Sequence, residues 1–269
     1  MPSWVGSLFL GTTVAYTVAA GLYLVSLMRG QEGPGRFAAP VLMAAATHHI
    51  IYLSFDTFGQ VAPLPGIAQT LTFLSLGIVL AFLLARLRSK SIDILGAFIT
   101  PVALLLLLGA GVGRSVGAVP PEVRSALLPV HIGVNALGII AFALAFGAAT
   151  AYVIQERMLR RKKLGGVFQR LPPLDVLDSL SLRSVSLGFP LLTIGIVSGV
   201  FWVDPVESLD ISPMHGFALA AWVLFAGVLI LRLAAGWRGR RAAIGTIMGF
   251  LCALGVLVGY VVRDAGGVS

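Results

Sequence analysis

Four histidines are the residues of this sequence whose side chains are best suited to chemistry. His48 and His49 are adjacent, whereas His131 and His215 stand alone. Each lies in or beside an apolar stretch, where an ionisable side chain is costly and usually functional. Because imidazole is the commonest metal ligand in proteins, these positions favour coordination of a metal or of a metal-containing group.

The composition identifies the class of protein that must position these imidazoles. The 269 residues are 58% hydrophobic and 11% charged, and the mean hydropathy is +0.97. This balance indicates an integral membrane protein whose environment is a lipid bilayer. The net charge of +8 does not indicate a nucleic-acid partner, because the basic residues lie in short connections between apolar runs. The single cysteine, Cys252, excludes an intramolecular disulfide and a CxxC or CxxCH motif.

Eight apolar runs are long enough to cross a bilayer, which requires about 20 residues each. Only helices satisfy their backbone groups in lipid, so we predict an all-α, polytopic fold with residues 1–269 in one transmembrane domain. The predicted spans are Val5–Met28, Ala39–Phe55, Ile67–Leu87, Ile92–Val112, Leu127–Ile154, Val185–Val203, His215–Leu233 and Ala242–Val262.

The basic residues predict the orientation of these spans. Sixteen of the nineteen lie in the connections after spans one, three, five and seven, whereas the alternate side has only Arg114, Arg124 and Arg263. Positive connections stay in the cytoplasm, so both termini are expected outside it. The membrane itself is expected to be the inner (plasma) membrane. His48 and His49 then lie in the outer half of span two, and His131 and His215 begin inward-running spans. All four are therefore predicted near the extracytoplasmic face.

Several interpretations of these histidines remain open. His48 or His49 would also be satisfied by a carbonyl of a neighbouring helix, and His215 by solvent at a helix start. His131 has Asn135 one turn away, and Gly133 and Gly138 predict room for a flat ligand. Three imidazoles would suit zinc, but no acidic residue lies within the spans at this level. The aromatic surroundings favour a haem site instead; they are Tyr52, Phe55, Phe201 and Trp202. Arg114 and Arg124 are either propionate partners or plain loop charges.

The longest cytoplasmic connection, residues 156–184, contains a leucine-rich stretch with acidic residues. Its pattern predicts a short amphipathic helix over Leu174–Leu182 at the inner interface, after Pro172 and Pro173. Such a helix is either a docking site for a partner or a connector on the headgroups.

Three stretches resemble the cytochrome c assembly family, which includes CcsA, CcmC and HemX-type membrane proteins that handle haem. The first is LPVHIGVNALGIIAFALAFGAATAYVIQERMLRRKK. The others are LDSLSLRSVSLGFPLLTIGIVSGVFWVDPVES and ALAAWVLFAGVLILRLAAGWRGRRAAIGTIMGF. The resemblance implies haem held at the outer face, non-covalently as haem b, for cytochrome c maturation. His131 matches the family's outer histidine, and Trp202, Asp204 and Pro205 match the core of its tryptophan-rich segment.

Departures from the family pattern place the chain in the shorter, eight-span, HemX-like branch. The tryptophan-rich segment has one tryptophan, and no histidine follows the final span. The resemblance therefore implies a haem-binding assembly factor, with His131 paired with His48 or His215 on the iron and Asn135 beside them. Haem-lyase activity is expected only with a partner membrane protein, and apocytochrome c is the implied recipient. The alternatives are a regulator of tetrapyrrole-synthesis enzymes and a transporter of a metal or small molecule without haem.

Overall fold

The computed structural model describes residues 3–29, 32–58, 66–112, 128–163, 165–199 and 213–265. Across these ranges the chain is helical, with no strand. A 3₁₀ turn, Lys90–Leu95, leads directly into the fourth helix. The α-helices are α1 (Ser3–Arg29), α2 (Glu32–Phe58), α3 (Ile67–Arg88), α4 (Gly96–Val112), α5 (Leu128–Arg160), α6 (Val167–Arg170), α7 (Leu174–Gly199), α8 (Pro213–Ala235) and α9 (Arg240–Ala265).

Except for the four-residue α6, the described helices are long and apolar enough to cross a membrane, α4 together with the 3₁₀ turn that precedes it. The prediction of an all-α protein with eight transmembrane helices is confirmed, and the protein is a multi-pass membrane protein. The orientation of the bundle, the extracytoplasmic position of both termini and the single-domain assignment stay predictions.

The N-terminal helices pack around buried tyrosines. α1 lies against α2 and α4, and α3 lies against α4. Tyr16 and Tyr23 on α1 are almost fully buried, with exposed fractions of 0% and 2%. Gly96 begins α4 against the Tyr23 ring: a Cβ there would lie 2.5 Å from it, so only glycine permits this approach.

The long helix α5 joins the two parts of the bundle, because it contacts α3, α4, α7 and α9. Its face towards α7 carries Gly138, beside the backbone of Gly188. One turn on, Phe142 stacks on Phe225 of α8 with ring centroids 3.8 Å apart. Small residues on α5 and α7 let these two helices approach closely, and aromatic rings fill the space towards α8.

The four basic connections lie at one end of the bundle. Arg170 of α6 donates to the Ser26 carbonyl oxygen near the end of α1, at 3.1 Å. Asp178 at the start of α7 pairs with Arg232 at the end of α8, and the Arg232 side chain is only 6% exposed. Glu156 of α5 lies 3.7 Å from Arg240 of α9. The charges that predicted the orientation therefore also join the helices at this end.

The predicted amphipathic helix over Leu174–Leu182 is wrong as a separate element. These residues form the first turns of α7, which continues without a break to Gly199. Leu177 is fully buried, and Asp178 is held by Arg232 of α8. The alternation of leucine and aspartate therefore includes contacts with a neighbouring helix and does not mark a separate element.

Candidate functional site

His131 lies at the end of the bundle opposite the basic connections, in the first turn of α5. It faces the last turn of α7, where its Nδ1 lies 2.9 Å from the Ser198 hydroxyl. Asn135, one turn further along α5, donates from Nδ2 to the His131 carbonyl at 2.9 Å. The same amide nitrogen lies 3.3 Å from His131 Nε2. The imidazole is half-buried.

The neighbours of the ring fit one tautomer of His131. If the Ser198 hydroxyl donates to the Gly195 carbonyl at 2.9 Å, its oxygen is available to accept from Nδ1, and the ring also contacts the Gly195 backbone. The neutral ring with its hydrogen on Nδ1 and its lone pair on Nε2, which then accepts from Asn135, satisfies all of these contacts. An N–H held in this way is the arrangement by which proteins orient an imidazole as a metal ligand.

Two glycines of α7 make this approach possible. A Cβ at Gly195 would lie 2.1 Å from Asn135 Oδ1, and one at Gly199 would lie 3.2 Å from His131 Cε1. The room that Gly133 and Gly138 predicted is not beside the imidazole. The space beside Gly138 is occupied by α7. The space beside Gly133 is open, but Gly133 lies about 200° around the helix from His131.

His48 makes the contact that the non-ligand interpretation predicts. Its Nε2 donates to the Leu8 carbonyl of α1 at 3.1 Å. The ring lies against Gly11, where a Cβ would be 2.8 Å from Nε2. In this arrangement Nε2 carries the hydrogen, so only Nδ1 has a lone pair for a metal.

His49, which was not among the predicted iron ligands, is more deeply buried than His48. Its side chain is fully buried, and Nδ1 lies 2.8 Å from the Tyr16 hydroxyl. Within the described part of the chain, Nε2 has no hydrogen-bond partner. Ser75 of α3 is a second polar neighbour of Tyr16 and donates to the Ala103 carbonyl at 2.7 Å. A buried polar chain thus links α2, α1, α3 and α4.

The remaining predicted site residues are placed less fully. His215 lies in the first turn of α8 and is exposed. Trp202, Asp204, Arg114 and Arg124 lie outside the described residues.

In the structure, the three predicted ligand histidines lie on different helices. His48 lies against α1 and His131 against α7, and His215 begins α8. Among the described residues, no three histidine, cysteine or acidic side chains are grouped to hold a metal ion. The three-imidazole zinc site that the sequence left open is therefore not formed by these residues. The pairing of His131 with a second histidine stays a prediction.

Comparison with known proteins identifies the family. The family model described as cytochrome C assembly protein matches residues 64–263, which include α3 to α8 and most of α9. The chain belongs to the cytochrome c assembly protein family. It is 30% identical to the cytochrome c biogenesis protein CcsA of Parasynechococcus marenigrum (strain WH8102), over 72% of this chain and 74% of the relative.

Other relatives carry the same name. Identity is 29% to the CcsA of Microcystis aeruginosa (strain NIES-843 / IAM M-2473), over 91% of this chain and 90% of the relative. It is 26% to the CcsA of Guillardia theta, over 72% and 73%. No solved structure matches this chain. The resemblance to the family is confirmed, whereas membership of the HemX-like branch stays a prediction.

Sequence reasoning did not single out Ser198 as a site residue. Its signal was the spacing of Gly195 and Gly199, four residues apart at the end of span six. Small residues at this spacing indicate a close helix contact. The identity of the facing helix was needed before Ser198 could be assigned to His131.

Proposed function

We propose that this protein is a membrane haem-binding assembly factor for cytochrome c biogenesis, which holds haem b non-covalently as cargo at the extracytoplasmic face. The role in cytochrome c biogenesis rests on family membership and on the relatives named CcsA. The observation that carries the haem assignment is the imidazole of His131, whose Nδ1–H is held by Ser198. That bond presents the Nε2 lone pair as an iron ligand.

In this proposal, His131 is the first axial ligand, and Asn135 controls access to it. The amide N–H of Asn135 lies 3.3 Å from Nε2, a long contact that iron would replace. Asn135 would keep its shorter bond, 2.9 Å, to the His131 carbonyl. Loading therefore breaks one weak hydrogen bond and leaves the backbone of the first turn satisfied.

The second axial ligand is His48 or His215. For His48 to bind, its ring must expose Nδ1 or release the Leu8 carbonyl from Nε2. His215 is exposed, so it reaches a ligand without breaking a described contact. Trp202 and Asp204 are proposed to lie beside the porphyrin, as the family resemblance implies.

The partners in this proposal are haem, a membrane protein of the same assembly system and apocytochrome c. The eight-span chain of the HemX-like branch, one domain over residues 1–269, would act in the inner membrane without catalysing attachment alone. The regulatory alternative relied on the leucine-rich stretch at the start of α7. In the structure, Leu177 of that stretch is buried and Asp178 is paired with Arg232 of α8, so these two side chains are engaged within the bundle.

The test is an absorption spectrum of the protein purified in mild detergent. We expect a low-spin, bis-imidazole haem spectrum, and a His131→Ala variant should lose haem or shift its Soret band. His215→Ala and His48→Ala identify the second ligand, because only one of them should change the low-spin spectrum. A His131→Ala variant with full haem content and an unchanged Soret band would overturn the proposal. A purified protein that carries zinc and no porphyrin would favour the transporter alternative.

A further inference from the structure

A small cavity with several polar residues in its lining lies at the basic end of the bundle, far from His131. Its volume is about 200 Å³. It lies between the end of α1, the start of α2, the 3₁₀ turn before α4, and α6. The lining residues are Tyr23, Ser26, Gly35, Asp93, Ile94 and Arg170. Small-molecule sites typically have volumes of about 300–1,000 Å³. This cavity is smaller, so it cannot hold a tetrapyrrole, but it suits a small polar headgroup.

The acidic residue of the cavity is already neutralised. Asp93 accepts a hydrogen bond from Arg86 Nε, with which it forms an ion pair. The Tyr23 hydroxyl donates to the same carboxylate oxygen at 3.3 Å. These two donors leave Asp93 little capacity to attract a cation into the cavity.

The basic residue of the cavity is Arg170, whose guanidinium is positioned by α1. Its Nη1 donates to the Ser26 carbonyl at 3.1 Å and to the Ser26 hydroxyl at 3.4 Å. Ser26 is only 5% exposed, and Arg170 is half-buried. A guanidinium has five N–H donors in a rigid fork that matches the oxygens of a phosphate.

We propose that this cavity binds the phosphate group of an anionic phospholipid. The cavity lies at the ends of helices that are long and apolar enough to cross a membrane, where we expect headgroups to meet the protein. Sixteen of the nineteen basic residues belong to connections at this end, among them Arg29 and Arg36, which are close in sequence to the lining residues Ser26 and Gly35. Basic pockets between transmembrane helices on a positively charged face are suited to anionic headgroups. The bound lipid would join α6 to α1 and α2, and this role is independent of haem.

The experiment compares Arg170→Gln with Arg161→Gln, an exposed arginine of the same connection. The full chain in mild detergent is titrated with phosphatidylglycerol, phosphatidylcholine or inorganic phosphate, and the midpoint of thermal unfolding is recorded. Phosphatidylglycerol should raise the midpoint of the unmodified protein and of Arg161→Gln. Its apparent affinity should be about tenfold or more weaker in Arg170→Gln, because the phosphate loses a hydrogen bond from a charged donor, an effect that the exposed Arg161 does not supply. Phosphatidylcholine and inorganic phosphate should have little effect.

Three outcomes would overturn the proposal. The first is equal phosphatidylglycerol affinity in Arg170→Gln and the unmodified protein. The second is an equal loss in both arginine variants, which would indicate diffuse attraction. The third is a shift by inorganic phosphate as large as that by the lipid. If Arg170→Gln does not fold, Ser26→Ala replaces it, because it removes one oxygen beside the guanidinium and keeps the charge. Ser26→Ala should weaken lipid binding, and unchanged binding would count against the proposal.

Discussion

Removing the hydroxyl of Ser198 is the sharpest test of the hydrogen-bond arrangement at His131. In Ser198→Ala, the His131 Nδ1–H loses the oxygen that lies 2.9 Å away. The Gly195 carbonyl also loses the hydroxyl that donates to it. The change leaves Nε2 and the backbone of α5 untouched, so it perturbs the orientation of the ligand without removing the ligand.

The expected magnitude follows from this geometry. The half-buried ring keeps its contact with the Gly195 backbone, so the loss of this one hydrogen bond costs about 0.5–1.5 kcal/mol. Loss of the outer hydrogen-bond partner of a metal-bound imidazole typically weakens metal binding by about 10–100-fold. We therefore expect haem affinity to fall within this range, while the eight helices remain folded.

Haem titration of the purified variants, followed at the Soret band, measures this effect. Ser198→Thr keeps a hydroxyl and should retain most of the affinity. Ser179→Ala is the matched control, because Ser179 lies on the same helix, is exposed and bonds only locally to the Val176 carbonyl. An affinity in Ser198→Ala equal to that of Ser179→Ala would show that the Ser198 contact does not prepare His131 for iron.

Two further predictions concern the stability of the bundle, measured by thermal unfolding in mild detergent. Gly195→Ala places a Cβ 2.1 Å from Asn135 Oδ1 and should destabilise by about 1–3 kcal/mol. Gly133→Ala meets nothing within 4 Å and should be neutral or slightly stabilising, so equal losses would contradict the packing. Arg232→Met should cost about 3–5 kcal/mol, because it leaves the Asp178 charge without its partner. Adding Asp178→Leu should recover most of this loss, and no recovery would contradict the ion pair.

The transmembrane architecture was predictable because its causes are local in sequence. Each run such as Ile67–Leu87 is apolar over the thickness of a bilayer, and lipid permits only a helix there. The boundary of α7 was not predictable in this way. Leu174–Leu182 has the periodicity of a surface helix, but Leu177 is fully buried and Asp178 is paired with Arg232 of α8.

For the histidines, too, some features follow from the local sequence and others only from the packing of the helices. Sequence alone identified His131 and its neighbour Asn135, since both lie on one α5 face at helical spacing. It did not include His49 among the predicted iron ligands, and it could not show which of the two adjacent histidines is buried until the packed face of α2 was known. The structure places His49 on that face against Tyr16 and turns His48 towards the Leu8 carbonyl.

By itself, the sequence determined that this is an eight-helix membrane protein of the cytochrome c assembly family with a histidine beginning its longest span. Hydropathy and motif spacing are properties of one segment at a time, so they need no knowledge of neighbours. Only the tertiary structure decided that α7 supplies Ser198 to His131, and that Arg170 meets Ser26 across 144 residues of chain. Contacts between distant helices depend on how closely the backbones approach, and that distance is set by glycines on the facing surfaces.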